Sequence, residues 1–397
     1  MKQDIKIFII IPFLLFGCSN PSRTTEQGSA TDIRNNLNVP AKVPDSTVGS
    51  QEPRPFKFTI DLDQFYEQEE CNQETGECLS YKALGRKPEI VIHVEEMPGA
   101  AVKYDLDCDG DGLFEQSGLT SHAVCQYQEQ HGKHQIGIRG ALPGLILCGD
   151  DEEELLYGFS HHKALLSIDQ WGDIRWKTMH AFAKNCQNIV IPDEAPDLAD
   201  VTDMSEMFYG AHQFNQPIEH WNISSVTNLS RMFFGAFAFN QPLQKWNTAN
   251  VKDISFMFMF CREFNQPLNA WNVSAVETMS GTFSMASVFN QPLDTWNVSR
   301  VKTMDGMFRG AGSFNQPLNA WDVSNVTDME GMFNQATAFN QPLDKWNITG
   351  VRKMRAMFWG ATAFTQNIDA WKVSAKTETG SMFQNSGYSG YPIWYKK

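Results

Sequence analysis

Seven tryptophans, Trp221, Trp246, Trp271, Trp296, Trp321, Trp346 and Trp371, fall 25 residues apart without a slip. A strict period of this length marks a repeat architecture, in which a unit that cannot bury its own apolar face stacks on copies of itself. Phe-Asn-Gln-Pro keeps the same step, beginning at Phe214, Phe239, Phe264, Phe289, Phe314 and Phe339, and decays to Phe-Thr-Gln-Asn at Phe364. Residues 264–274 and 314–324 differ only in Asn272 against Asp322. The words recur because each coil meets the same neighbours.

Within one unit, Val226, Leu229, Met232, Phe233 and Ala236 fall at spacings of three and four, which predicts a short amphipathic helix with one buried stripe. Pro242 stops it, and Leu243 to Trp246 is expected to run extended. The Trp, Phe, Met and Val columns read as core. The column Asn215, Asn240, Asn265, Asn290, Asn315, Asn340, with the Gln beside each, is expected to hydrogen-bond backbone groups between coils. Stepping the frame outwards reaches Pro196 and Trp171 on one side and Met382, Phe383 and Pro392 on the other, giving nine coils over residues 171–397.

The stretches MSEMFYGAHQFNQPIEHWNISSVTNL, 204–229, and SIDQWGDIRWKTMHAFAKNCQNI, 167–189, resemble the BspA-like, leucine-rich-repeat-related family of bacterial surface proteins, also described as DUF285. The resemblance covers residues 171–397. It implies an α/β solenoid, an LRR-like right-handed coil of 25-residue repeats, used for attachment or protein recognition. It implies no particular ligand, because members of that family share none.

Lys2 and Lys6 flank the start of an apolar run, IFIIIPFLLFG, too short to span a bilayer as a helix. Residues 1–17 read as a signal peptide. Leu15-Phe16-Gly17-Cys18 resembles the bacterial lipobox, which implies acylation of Cys18, and Ser19 in place of Asp favours delivery to the outer membrane. Residues 18–53 are Ser, Thr, Asn, Pro and acidic residues without an apolar period, the composition of a flexible tether.

Residues 54–150 read as a small all-β sandwich, because 56–62, 89–95, 101–107 and 133–140 alternate apolar and polar residues between Gly, Pro and Asp clusters. YDLDCDGDGLFE followed by AVCQYQEQHGKHQIGIRG resembles the PKD/immunoglobulin-like pattern. Asp107, Asp109 and Asp111 before Gly112 match the opening of a calcium-binding EF-hand loop, but its closing position is Gly118 rather than Glu. A calcium site and a solvated β-turn are both open readings. Residues 151–170 read as a junction, with Asp150 to Glu154, Ser160, His161 and His162 as linker residues lacking a partner at ligand spacing.

Beyond Cys18, local spacing in an oxidising compartment suggests disulfides Cys71–Cys78 and Cys108–Cys125. Cys186 and Cys261 stand in a column otherwise filled by Ala and read as small core residues, although Cys148, left over, has Cys186 as a candidate partner. Up to residue 170 the chain carries 14 positive and 27 negative side chains, and from 171 onward 18 and 19, so the net −14 is nearly all N-terminal. Neither part offers the basic excess that nucleic acid demands. No nucleophile elbow, zinc-protease helix or phosphate loop is present, and the chain is read as a non-enzyme without a cofactor.

Where core columns hold one residue type, the column after the core Phe reads Tyr209, Phe234, Met259, Ser284, Arg309, Asn334, Trp359. Such tolerance marks a position outside the packing. Tyr209, Phe234, Arg309 and Trp359 are therefore contact candidates, since aromatics and Arg dominate interface energetics. In the competing reading the rings lie across the adjacent coil. Glu219, Lys245 and Lys345 mark a second exposed edge. The expected function is recognition of an extracellular or envelope protein, or a glycan, by a lipid-anchored, cell-surface outer-membrane protein; the alternative is a structural envelope component bound to its neighbours.

Overall fold

The computed structural model describes residues 52–66, 69–71, 78–80, 87–95, 97–128, 131–148 and 164–395, with the backbone alone for 65, 66, 69–71 and 78–80. They fall in one compact unit, Glu52–Lys397. The signal segment, Cys18 and all but the last residues of the tether lie outside the described residues, as do Asp150 to Glu154, Ser160, His161 and His162.

Among the described residues ten strands precede the repeats: β1 (Phe56–Asp61), β2 (Glu69–Cys71), β3 (Cys78–Ser80), β4 (Glu89–Val94), β5 (Lys103–Asp107), β6 (Gln116–Leu119), β7 (Ala123–Gln126), β8 (Lys133–Ala141), β9 (Leu145–Ile146) and β10 (Leu165–Gln170). A five-stranded sheet runs β10-β1-β8-β5-β6 and a three-stranded one β7-β4-β9, both antiparallel, while β2 and β3 form a hairpin. The alternation legible in the sequence becomes the burial pattern. Phe56, Phe58 and Ile60 of β1 and Ile90, Ile92 and Val94 of β4 point inward, with polar neighbours outward. The Cys108–Cys125 disulfide joins the end of β5 to β7 across the two sheets. The hairpin register sets Cys71 opposite Cys78, and their side chains lie outside the described residues.

The junction expected at 151–170 is corrected at its end, because β10 is an edge strand paired with β1. β10 also hands the sheet on to the repeats: the Ile168 amide donates to Val190 O at 2.7 Å and the Val190 amide to Leu166 O at 3.1 Å. Phe56 packs against Trp171, Trp176 and Phe182 at 6.2, 5.5 and 6.0 Å. A disulfide between Cys148 and Cys186 fastens the same joint. One apolar core therefore continues from the sheets into the coils.

The expected α/β solenoid of LRR type is overturned. Among the described residues the one α-helix is α1 (Leu62–Tyr66), far from the repeats, and the repeats hold only turns and single bridge residues. The reason lies in two backbone columns. Ala181, Glu206, Arg231, Phe256, Gly281, Gly306, Gly331, Ala356 and Ser381 have φ between 50° and 60°. Four residues on, Asn185, Gly210, Gly235, Phe260, Met285, Gly310, Gln335, Gly360 and Asn385 lie between 59° and 71°. Two left-handed residues four apart in each coil forbid a right-handed helix there, yet leave apolar residues three and four apart, so the stripe was compatible with turns as well.

What compensates the left-handed residues is hydrogen bonding between coils. Alternate amides turn in opposite directions. In one coil Met279, Gly281, Phe283 and Met285 donate to Thr303, Asp305, Met307 and Arg309 of the next, at 2.6–3.0 Å, while Thr282, Ser284 and Ala286 donate three residues back within their own turn. Every amide in the arc is thus used. At the residue just before this arc, single parallel bridges link Asp203, Asn228, Asp253, Thr278, Thr303, Asp328, Lys353 and Glu378 in sequence. The stretch expected to run extended is a turn as well, the Trp246 amide donating to Leu243 O at 3.2 Å.

Side chains follow the backbone register. Phe283 stacks on Phe258 and Phe308 at 5.7 Å and on Phe289 of its own coil at 4.0 Å. Trp296 lies parallel to Trp271 and Trp321 at 6.4 Å. From Trp246 to Trp371 each indole N–H donates to a main-chain carbonyl 28 residues back, at 2.8–3.0 Å. The Asn column forms a ladder at the half-exposed turn: Asn265 Oδ1 accepts from the Asn290 amide at 2.9 Å and from Gln291 Nε2 at 3.1 Å, and the next coils repeat this.

Candidate recognition surface

Tyr209, Phe234 and Trp359 are half-buried and Arg309 is exposed. Of the four, the structure brings Tyr209 and Phe234 together, their rings parallel at 4.6 Å. Arg309 and Trp359 occupy the same column on later coils, among Ser284, Asn334 and other small or polar side chains.

Around the Tyr209–Phe234 stack three neighbouring columns add rings that single-column reading missed. Phe260 meets Phe234 edge-on at 5.6 Å, His212 stacks on Phe237 at 4.5 Å, and Phe256 is half-exposed beside them. Burial pulls the His212 pKa down, favouring the neutral ring. Cations cover several rings: Lys184 Nζ lies 5.1 Å from the centre of Tyr209, and the Arg231 and Arg262 guanidiniums lie 5.4 and 4.7 Å from Phe256 and Phe237. Glu206 pairs with both Lys184 and Arg231, at 2.7 and 3.4 Å. The signal was in the sequence. The column of Phe256 holds Gly281, Gly306 and Gly331 further on, and that of Phe237 holds Ser287, Gly312 and Thr337. The fold accepts no side chain at all where this patch carries rings.

The competing reading is also visible, since Phe256 reaches over the next coil: a Cβ on Gly281 would lie 2.3 Å from its ring. These rings are both packed and half-exposed. Elsewhere, Lys245 pairs with Glu219 at 3.0 Å, and Lys345 donates its amide to Asn319 Oδ1.

The acidic turn gathers Asp107, Asp109, Asp111 and also Glu115, with one carboxylate oxygen from each within 4.8 Å of the others. Glu115 escaped the sequence reading, which looked for a closing carboxylate three residues later. Much of this acid is already bound to the turn itself: buried Asp107 accepts the Gly110 and Gly112 amides at 2.7 and 3.0 Å, Asp111 accepts Leu113, and Glu115 accepts Cys108. Four converging carboxylates suit a hard cation in their chemistry, and the amides they hold suit a self-sufficient turn.

Ser205, His180 and Glu95 meet where the sheets join the coils, with His180 Nδ1 at 2.9 Å from Ser205 Oγ. Ser205 donates to Asp203 at 2.6 Å, and Ser255 makes the same bond to Asp253 two coils later. The hydroxyl belongs to a recurring turn. Glu95 Oε2 is buried without a hydrogen-bond partner among the described residues, and burial raises its pKa against the opposing pull of His180.

Residues 176–296 and 279–389 match the family described as Mycoplasma protein of unknown function, DUF285, and together they span more than half of the chain. The chain belongs to the DUF285 family. No curated protein and no solved structure matches it. Among the described residues no helix is long and apolar enough to cross a membrane.

Proposed function

We propose that this DUF285 member is a non-enzymatic, lipid-anchored surface protein whose stacked coils recognise a protein partner through the patch around Tyr209, Phe234, Phe237, Phe256 and Phe260. One observation carries the reading. The rings Tyr209, His212, Phe234, Phe237, Phe256 and Phe260 concentrate on three adjacent coils, with Lys184 on the coil before, in columns where several later coils carry Gly, Ser, Thr or Asn. Packing alone does not require them there, and half-exposed aromatics are the usual source of interface energy. The lipobox at Cys18 supplies the membrane attachment in this reading, and the tether holds the sheets and coils clear of the bilayer.

The test exchanges the patch for residues that the fold already uses in the same columns: Phe234→Asn, Phe237→Thr and Phe256→Gly together. The variant is expected to keep its secretion and cooperative melting and to lose binding to whole cells bearing the partner. Unchanged binding by a folded variant would refute the proposal, and cross-linking of wild type only to neighbouring envelope proteins would favour the structural alternative. Cys18→Ser should release the protein from the membrane fraction; retention there would refute the anchor.

A further inference from the structure

We infer that the partner is a polypeptide presenting carboxylates together with apolar side chains, not a glycan, and this rests on the recognition reading above. The argument comes from which parts of the rings are left to a partner. Tyr209 is held between Lys184 of the preceding coil and the parallel ring of Phe234 on the following one. Phe237 is held in the same way between His212 and Arg262. Phe256 lies between Arg231 and the backbone of Gly281. Stacking direction therefore consumes ring faces and turns ring edges outward.

A sugar ring is recognised by laying its C–H face on an aromatic face, and those of Tyr209 and Phe237 are occupied on both sides. Ring edges instead carry the positive end of the aromatic quadrupole, and the three cations reinforce that sign. Lys184 and Arg231 share Glu206, whereas Arg262 has no ion pair among the described residues, its nearest acid in sequence being Glu263. The exposed Arg262 guanidinium therefore leaves positive charge beside Phe237, in a chain whose net charge is −14. An apolar surface of this sign is complementary to acidic residues interspersed with Leu or Phe, and long-range charge would steer such a segment onto it.

Fluorescence anisotropy on the full chain tests this with four labelled probes: a twelve-residue peptide alternating Glu or Asp with Leu or Phe, the same peptide with Lys for every acid, hexaglutamate, and maltohexaose. The first is expected to bind, with affinity falling as salt rises, and the other three to bind at least about tenfold more weakly. Arg262→Glu should weaken the first probe about tenfold, while Arg352→Glu, exposed on a distant coil, should not. Tighter binding of maltohexaose, or no binding of the acidic–apolar peptide, would overturn the inference. Cell binding that still depends on Phe234, Phe237 and Phe256 would then leave the recognition reading standing; cell binding independent of them would remove both.

Discussion

Trp296→Phe removes one hydrogen bond and little else, which makes it a sharp probe of the stacked register. Trp296 is almost fully buried, lies parallel to Trp271 and Trp321, and donates its indole N–H to Leu268 O at 3.0 Å. Phe keeps an aromatic ring in the column but loses that bond, about 0.5–1.5 kcal/mol because Leu268 O still accepts the Trp271 amide at 3.0 Å, and removes part of the ring volume, about 1 kcal/mol more. Trp221 supplies the control. It is equally buried, yet its indole N–H has no partner among the described residues, so Trp221→Phe should cost only the volume. Trp346→Phe, whose N–H reaches Leu318 O at 2.9 Å, should behave like Trp296→Phe. Urea unfolding followed by far-ultraviolet circular dichroism, which the lost fluorophore does not disturb, measures all three. The expected order places Trp296→Phe and Trp346→Phe together, about 0.5–1.5 kcal/mol below Trp221→Phe. Equal losses at all three positions would refute the hydrogen-bonded tryptophan column.

Three further expectations follow from individual sites. Gly281→Ala combines φ of 59° with a Cβ 2.3 Å from the Phe256 ring, whereas Gly306→Ala at φ 60° meets nothing closer than 3.9 Å; the first should cost about 2–4 kcal/mol and the second about 1, with Phe256→Ala restoring part of the former, and equal costs would contradict the ring's placement. Glu95 has its folded pKa raised above 4.5 by burial, with His180 and Asp203 facing it, so the native state holds the extra proton and stability falls as pH rises through that window. Glu95→Gln should therefore melt above wild type at neutral pH and lose that advantage below about pH 4.5; a gain present at every pH would contradict this. Millimolar calcium should leave the melting temperature unchanged, because Asp107 already spends both oxygens on the Gly110 and Gly112 amides; a rise abolished by Asp109→Asn with Asp111→Asn would assign the turn to a cation.

The repeat, its core columns and the Asn ladder were legible because each is a period of identical residues, and burial follows from which columns refuse to vary. The backbone path was not. Val226, Leu229, Met232, Phe233 and Ala236 satisfy helical spacing, and a run of turns places the same residues inward. The discriminating mark was the Gly at 281, 306 and 331 and again at 210, 235, 310 and 360, two columns four apart that a helix would have no use for. Arg231, Phe256 and Met285 in those columns hid it, because the coil-to-coil bonds hold non-glycine residues left-handed as well. β10 was missed because LLSIDQ carries a weak alternation, and its partner β1 lies more than a hundred residues earlier. Glu115 was missed because the loop was measured against a frame that it does not follow. For the surface, one variable column pointed to Tyr209 and Phe234, but Phe260 meets Phe234, and Phe237 meets His212, only once the coils are stacked.

That the coils are held by alternating backbone bonds, and not by helices, is tested most directly by amide hydrogen exchange on the eighth and ninth coils. Met354, Ala356, Phe358 and Gly360 donate to Glu378, Gly380, Met382 and Gln384, while the corresponding amides of Thr379, Ser381 and Asn385 have no partner among the described residues. The expected result is strong protection of 354, 356, 358 and 360 with fast exchange at 379, 381 and 385, interleaved with protected Met382 and Gln384. Uniform protection along residues 379–385, as intrahelical bonding four residues back would give, would contradict the account.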